Sequence, residues 1–561
     1  MKYIYKFYFI LSAFIVLSGC KKFVDKKPLD SFSDTDFWTS ENALRTYNWE
    51  FYNLFIGYGT GASGDFYFSD FSDDQDGSAL RNFVANAPAT NSSWTFYWVR
   101  KANIMLERID QVPIDDAAKN HWKGVARFFR AMTYFNLVKT FGDVPFINKS
   151  LDLPDTTLIY KPRDPRALVM DSVLADLNYA VANLRDADLS NTVNKNIARA
   201  FLSRVALFEG TYRKYHTELN LPNAATYLKA AKDAANELMT AGYSLNADYQ
   251  TTYNSLDLST NKQVIMFKQY APGFLTHSVI GYTNSSTTMS GLTKNAVESY
   301  LASDGLPISL SPLYKGDSSI TTLRQNRDKR LLETIDTVLM YQGHLWNGFS
   351  SSTGYRPAKF LQPLDPNQLA PYNSTDAPLF GLPEVLLNYA EACVELDQMG
   401  EYSMTQGDLD RSVNLLRARA GVAPLQLSGK QGTAVNGVAF VDPKMDKADD
   451  AKAGSGNEMT SLKWEIRRER RTELMMDGFR YDDLMRWKKG WYLDNSKNPD
   501  IFLGAKVPAN DKINRSPDGY LMVYAASATR AFTDPKNYLS AVPTGQIALY
   551  ANGNLSQNPG W

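Results

Sequence analysis

The stretch Trp464 to Trp487, WEIRRERRTELMMDGFRYDDLMRW, most constrains what this chain can become. It holds six acids (Glu465, Glu469, Glu473, Asp477, Asp482, Asp483) and six bases, all arginine (Arg467, Arg468, Arg470, Arg471, Arg480, Arg486). The spacing predicts a charged helix, a stop at Gly478 and a second short helix. Spacing by four stacks Glu465, Glu469, Glu473 and Asp477 on one stripe, where like charges cost about 0.2–0.5 kcal/mol per pair. Partners are therefore implied. Some are local, since Arg468 lies three after Glu465 and Arg470 three before Glu473; others have to come from a neighbouring helix or a capped terminus. Arginine suits planar, two-pronged, partly buried pairing with carboxylate. Such a cluster is either an ion-pair brace inside a helical scaffold or a catalytic or anion-binding site. No nucleophile, histidine or glycine-rich loop accompanies it, so Glu469, Arg470 and Glu473 are expected to brace the helices.

The chain start carries a different signal. Residues 1–19 hold Lys2 and Lys6 and then an apolar run from Phe7 to Leu17, too short to span a bilayer comfortably. Leu17-Ser18-Gly19-Cys20 resembles the bacterial lipobox, which makes Cys20 the expected lipidated first residue of the mature chain. Residues 20–30 then read as a lipidated polar tether. The remaining cysteine, Cys393, has no partner left for a disulfide and is expected on a buried helix face.

Residues 31–561 read as a single, mostly α domain, an irregular tetratricopeptide-like array of helix pairs with long ligand-binding loops and minor β content. Helix pairs fill its first part, about 31–245, and loops its second, about 246–561. Helical spacing places elements over Phe37–Phe55, Trp94–Ile109, Ala117–Phe141, Pro165–Leu184, Lys195–Tyr212, Asn223–Ala241, Leu382–Leu396 and Asp408–Ala420. Alanines alternate with Leu, Tyr and Phe, which allows close helix approach. Four segments, Tyr58–Ser93, Tyr270–Thr293, Tyr341–Pro378 and Gln426–Thr460, are too long for plain connections. The second half of the last is charged and poor in aromatics, and reads as a mobile insertion.

Charge excludes one class of partner. With the first 19 residues removed, 58 bases face 60 acids, so no basic field for nucleic acid exists. Catalytic signatures are also missing. His121, His216, His277 and His344 are scattered without zinc spacing, and no GxSxG elbow or Walker loop occurs. Gly59 to Gly64 matches GxGxxG but lacks the preceding strand and following helix of a dinucleotide site. Asp70, Asp73, Asp74 and Asp76 fail as an EF-hand because Phe83 stands where a glutamate is required; they could hold a structural cation, form turns or bind sugar hydroxyls. No other cofactor is expected. Carboxylates for glycoside hydrolysis stay open, because their separation is spatial.

What remains is a binding surface. Sugar rings have an apolar face and a polar rim, so exposed Trp and Tyr serve as platforms and Asp or Arg as edges. The aromatic content, 13% with 32 Tyr and 10 Trp, exceeds core needs. The candidates are Asp73, Asp74, Arg81 and Trp94 in one loop, Tyr270 and Tyr282 in a second with Phe274, and Trp346, Tyr355 and Arg356 in a third with Tyr341.

Five motifs in order resemble the SusD/RagB family, surface lipoproteins of Bacteroidetes nutrient-uptake systems. They are CKKFVDKKPLDSFSDTDFW from Cys20, RFFRAMTYFNLVKTFGDVPF from Arg127, EVLLNYAEACVEL from Glu384, IRRERRTELMMDGFRYDDLMRW from Ile466, and YLSAVPTGQIALYANGNLSQNPGW from Tyr538 to Trp561. Lys21 and Lys22 depart from the acidic run that many surface-exposed lipoproteins of that phylum carry. The resemblance implies a non-catalytic outer-membrane lipoprotein exposed at the cell surface. It would capture a glycan, or alternatively a peptide, and deliver it to a SusC-like TonB-dependent barrel. These are scaffold motifs, so they imply the role and not the ligand contacts.

Overall fold

The computed structural model describes residues 37–59, 71–77, 79–279, 290–337, 351–362, 371–446, 457–509, 513–550 and 553–561. The signal segment, Cys20, the tether, Tyr282, Tyr341, Trp346 and most of the expected insertion (447–456) lie outside these residues.

The expected mostly α array is what forms. Its first part runs α1 (Glu41–Asn48), α2 (Tyr97–Arg108), α3 (Asp116–Phe141), α4 (Arg166–Asn183), α5 (Lys195–Tyr215) and α6 (Ala224–Met239). From α2 onward each helix packs on the next, as antiparallel hairpins require. Local chemistry sets the ends of α3: the Asp115 carboxylate accepts from Ala118 N, and Gly142 ends the helix at φ 74°, a left-handed value that glycine adopts at low cost. Small residues allow the expected close approach. A Cβ on Gly210 of α5 would sit 2.8 Å from Leu228 of α6.

The array continues past residue 245. Helix α7 (Leu382–Gln398) packs on α5 and α6, with Cys393 fully buried as expected. Burial and Asp408 push that thiol up to about 12, which keeps it an inert core residue. The helix expected over Asp408–Ala420 is broken: Gln406–Asp410 and α8 (Val413–Ala420) are separated at Arg411 and Ser412. The opening stretch then supplies α9 (Ser461–Glu473), a stop at Gly478 with φ 82°, and α10 (Arg480–Arg486). One hydrophobic core runs from Leu44 through Phe128, Phe129 and Phe201 to Phe380 and Leu386.

Strands are short. β1 (Gln75–Gly77) pairs antiparallel with β3 (Ser290–Leu292), Gln75 opposite Leu292, and β2 (Val264–Lys268) pairs with β4 (Ala377–Gly381). The first half of Gln426–Thr460, read as loop, is a three-stranded meander: β5 (Gln426–Ser428), β6 (Gly432–Val435) and β7 (Val438–Phe440). Asn436 and Gly437, at φ 49° and 77°, form its second turn, where a two-residue hairpin needs both φ positive. β8 (Leu503–Lys506) pairs with β9 (Tyr520–Met522).

Candidate ligand-binding surface

Helix α9 is the hub that places the loops. The acidic stripe is neutralised by cations from distant chain segments: Glu465 by Arg417 at 3.3 Å, Glu469 by Arg417 at 3.0 Å and Arg330 at 2.6 Å, Glu473 by Arg330 at 2.9 Å, and Asp477 by Lys359 at 2.6 Å. Its arginines reach outward in turn. Arg467 pairs with Glu395, Arg468 with Asp442, and Arg486 of α10 with Glu391 at 2.6 Å. The local pair Arg468–Glu465 forms at 3.2 Å. The other expected local pair does not. Arg470 turns away from Glu473 and donates to Asp483 at 2.8 Å and to Asn388 Oδ1 at 2.8 Å. Burial pushes Glu465 up to about 7, while Glu473 lies below its usual range because Arg419 and Arg330 outweigh burial. The brace reading therefore holds, with tertiary partners.

Two expected ligand contacts belong to this brace. Asp73 is fully buried and accepts from Arg480 Nε and Nη2 at 2.7 Å each, and Asp74 accepts from Arg471 Nε at 2.6 Å. Arg480 and Arg471 hold the Asp73 carboxyl down against burial; burial and the neighbouring Asp73 charge push Asp74 up. Asp76 pairs with Arg530 at 3.1 Å. Guanidinium groups thus stand beside three of the four carboxylates that the sequence offered to a cation or a sugar; Asp70 lies outside the described residues. Among the described residues no group of three or more His, Cys, Asp and Glu side chains could hold a metal ion.

The loop stems converge on one platform. Ser278 N donates to Gly59 O at 2.9 Å, and His277 and Asn373 exchange both backbone hydrogen bonds at 2.9 and 3.0 Å. Residues bordering 60–70, 280–289 and 363–370 therefore meet. Leu292 N donates to Tyr355 O at 3.3 Å and Asp336 N to Arg356 O at 3.0 Å, which brings the border of 338–350 into the same region. Beneath lies a ring cluster in which the His277 ring sits 5.0 Å from Tyr58 and 4.6 Å from Tyr270, and Tyr58 lies 5.8 Å from Phe360. The Asp376 carboxylate, pushed up to about 6 by burial, fastens two segments by accepting from Tyr270 N at 2.9 Å and Leu258 N at 3.0 Å.

This platform separates the remaining candidates. Tyr270 and Tyr355 are 4% exposed and serve as its packing, not as ligand platforms; the Tyr270 hydroxyl donates to Tyr58 O. Arg356 is half-buried in an ion pair with Asp336. Trp94 lies elsewhere, its ring edge-on to Phe141 at 4.9 Å and Phe96 at 5.9 Å on the helical core. Arg81 is exposed, while its carbonyl accepts from Arg530. Tyr282 and Trp346 fall outside the described residues. Among the described residues, the exposed aromatics on the stems are Phe274, 92% exposed in a turn closed by the Ala271–Leu275 bridge, and Tyr372, 59% exposed beside Asn373. Phe274 was within reach of composition. Tyr372 was overlooked, although Pro371-Tyr372-Asn373 is a turn sequence carrying an aromatic.

A second concavity, a cleft of about 280 Å³, opens where α3, α5, α7 and the turn before α10 meet. Phe55, Phe135, Phe201 and Phe380 line it, and the charges nearby are already paired, Arg204 with Glu384 and Lys139 with Asp482, both at 2.6 Å.

Comparison with known proteins decides the family. A model described as "SusD family" matches residues 240–561, more than half of the chain. The chain belongs to the SusD family. A second model, "Starch-binding associating with outer membrane", matches residues 31–207. Among curated SusD relatives, "SusD-like protein P38" of Formosa agariphila is 27% identical over 227 residues, 38% of this chain and 44% of that protein. A "SusD-like protein" of Bacteroides ovatus is 25% identical over 282 residues, 47% of this chain and 49% of that protein. The chain thus spans about half the length of the curated relatives it matches. Solved SusD-like folds cover nearly all of it. A SusD-like carbohydrate binding protein from Bacteroides fragilis has a TM-score of 0.67 at 21% identity, covering 91% of this chain and 99% of that one. A laminarin binding SusD-like protein has a TM-score of 0.59 at 17% identity, covering 93% and 100%. At these identities the likeness shows the fold. No helix among the described residues is long and apolar enough to cross a membrane.

Proposed function

We propose that this protein is a non-catalytic glycan-capture lipoprotein of the outer membrane. Anchored through lipid on Cys20 and exposed at the cell surface, residues 31–561 act as one domain that holds an oligosaccharide and passes it to a SusC-like TonB-dependent transporter. The observation that carries the reading is the pair of exposed rings, Phe274 and Tyr372, on converging stems of a fold shared with carbohydrate-binding SusD-like proteins. Exposed flat rings recognise the C–H face of a sugar, and fixed stems limit the entropy lost on binding. Arg81 offers a polar edge to the same kind of ligand.

The test is affinity electrophoresis of the lipid-free chain against a panel of polysaccharides. Retention by one of them without release of reducing ends is expected. Combined Phe274→Ala and Tyr372→Ala should abolish most retention at unchanged melting temperature. Undiminished retention would remove the platform assignment, and retention by peptides alone would replace the glycan.

A further inference from the structure

A small cavity of about 70 Å³ lies between α9, α10 and the chain after them, and none of its described lining residues is one of the platform rings. Among the described residues its walls carry five cationic side chains, Arg467, Arg468, Arg471, Arg480 and Lys489, against one carboxylate, Asp446. The acids that pair four of these cations stand behind the wall: Glu395 for Arg467, Asp442 for Arg468, and Asp73 and Asp74 for Arg471 and Arg480. Lys489 meets Asp446 at 2.7 Å, and Tyr492 donates to the same carboxylate at 3.2 Å.

Donors are left over. The bonds of Arg471 and of Arg480 to Asp73 and Asp74 use Nε and Nη2, which leaves Nη1 of each without an acceptor among the described residues. Arg467 is 5% exposed and its buried Nε likewise has no acceptor there. The Nη1 groups of Arg471 and Arg480 are thus donors still open to an acceptor. Burial and the neighbouring cations act within the wall: burial, Arg417 and Arg471 push Arg468 down to about 9.

We propose that this cavity binds a sulfate or phosphate group. Its volume is far below the roughly 300–1,000 Å³ of sites that enclose whole ligands, so it admits a tetrahedral oxyanion and no sugar ring. Several guanidinium N–H groups around a compact anion are the arrangement that such oxygens favour. Trp464 and Tyr492, half-buried at the wall, would flank whatever carries the group. The oxyanion is either a free inorganic ion or an ester on a saccharide; this site stands independently of the Phe274 and Tyr372 platform.

Inorganic sulfate is titrated into the full lipid-free chain at constant ionic strength against chloride, with melting temperature and calorimetry as readouts. A saturating rise is expected. Arg480→Gln and Lys489→Gln should each weaken the apparent affinity about tenfold, the loss of one charge-assisted hydrogen bond. A linear, unsaturated rise of equal slope in wild type and both variants is general salt exclusion and overturns the proposal. If Arg480→Gln does not fold, Lys489→Gln decides. A sulfated oligosaccharide and its desulfated form are then competed against sulfate. Displacement by the sulfated form alone places the group on a sugar; displacement by neither leaves a free-ion site.

Discussion

Arg480 holds both carboxylate oxygens of Asp73, at 2.7 Å each, across 407 residues of chain. The pair links the start of α10 to the strand β1 that borders the loop platform, and both side chains are largely withdrawn from water. Removing one partner of a buried pair strands the other charge at a cost of about 3–5 kcal/mol. Asp73→Ala should therefore lower the urea midpoint strongly while glycan retention per folded molecule stays close to wild type. Lost retention at unchanged stability would return Asp73 to the ligand.

Arg470 ties α9 to α7 and α10 through Asn388 and Asp483. Arg470→Ala leaves the Asp483 charge with Arg486 alone, and we expect destabilisation of about 3–5 kcal/mol by chemical denaturation. Binding measured on the remaining folded fraction should be nearly unchanged. A folded variant that cannot bind would contradict the brace.

Trp94 packs edge-on against Phe141 and Phe96, so its role is structural. Trp94→Ala should cost about 1–3 kcal/mol, less than for a fully buried indole because the side chain is half-exposed. Affinity should survive. The outcome expected from composition alone, weaker binding with stability retained, is the one that would refute this placement.

His121 is buried beside Trp122 and accepts from Arg185 N at 3.3 Å; burial and the neighbouring Arg185 push it down to about 4. The native state keeps the imidazole neutral while the unfolded chain protonates it near 6.5. Stability from this group is complete above about 6.5 and falls as pH drops toward 4, by up to ~3 kcal/mol. His121→Gln, which keeps an acceptor for Arg185 N, should flatten that part of the stability profile between pH 7 and 4. Parallel profiles would show that folding does not shift the protonation of this ring.

The helices were legible because their periodicity and caps are local: Asp115 before α3, Gly142 after it, and Gly478 between α9 and α10 act within a turn of their own position. The neutralisation of the acidic stripe was legible as a need and not as an address. Nothing near Glu469 in sequence names Arg330 or Arg417, since those contacts depend on how distant segments return to α9. The same blindness misplaced Asp73 and Asp74, whose polar loop composition looked exposed until Arg471 and Arg480 were set against them. Tyr270 and Tyr355 failed for the reverse reason, because a long loop can fold its rings inward. The meander was readable and passed over: Val435-Asn436-Gly437-Val438 is a hairpin turn between alternating residues, hidden by the charged tail that follows it.

An oily seam between helices can slide by a residue and still be oily. The stripe Glu465, Glu469, Glu473 and Asp477 cannot, because its carboxylates meet cations from three separate returns of the chain, Arg417 and Arg419 of α8, Arg330, and Lys359, each at set positions. A slip would leave several charges in the interior with no counterpart at all. The stripe thus works as a ruler: it gauges how far each returning segment must travel before it is allowed to stop, and so fixes where the loops begin.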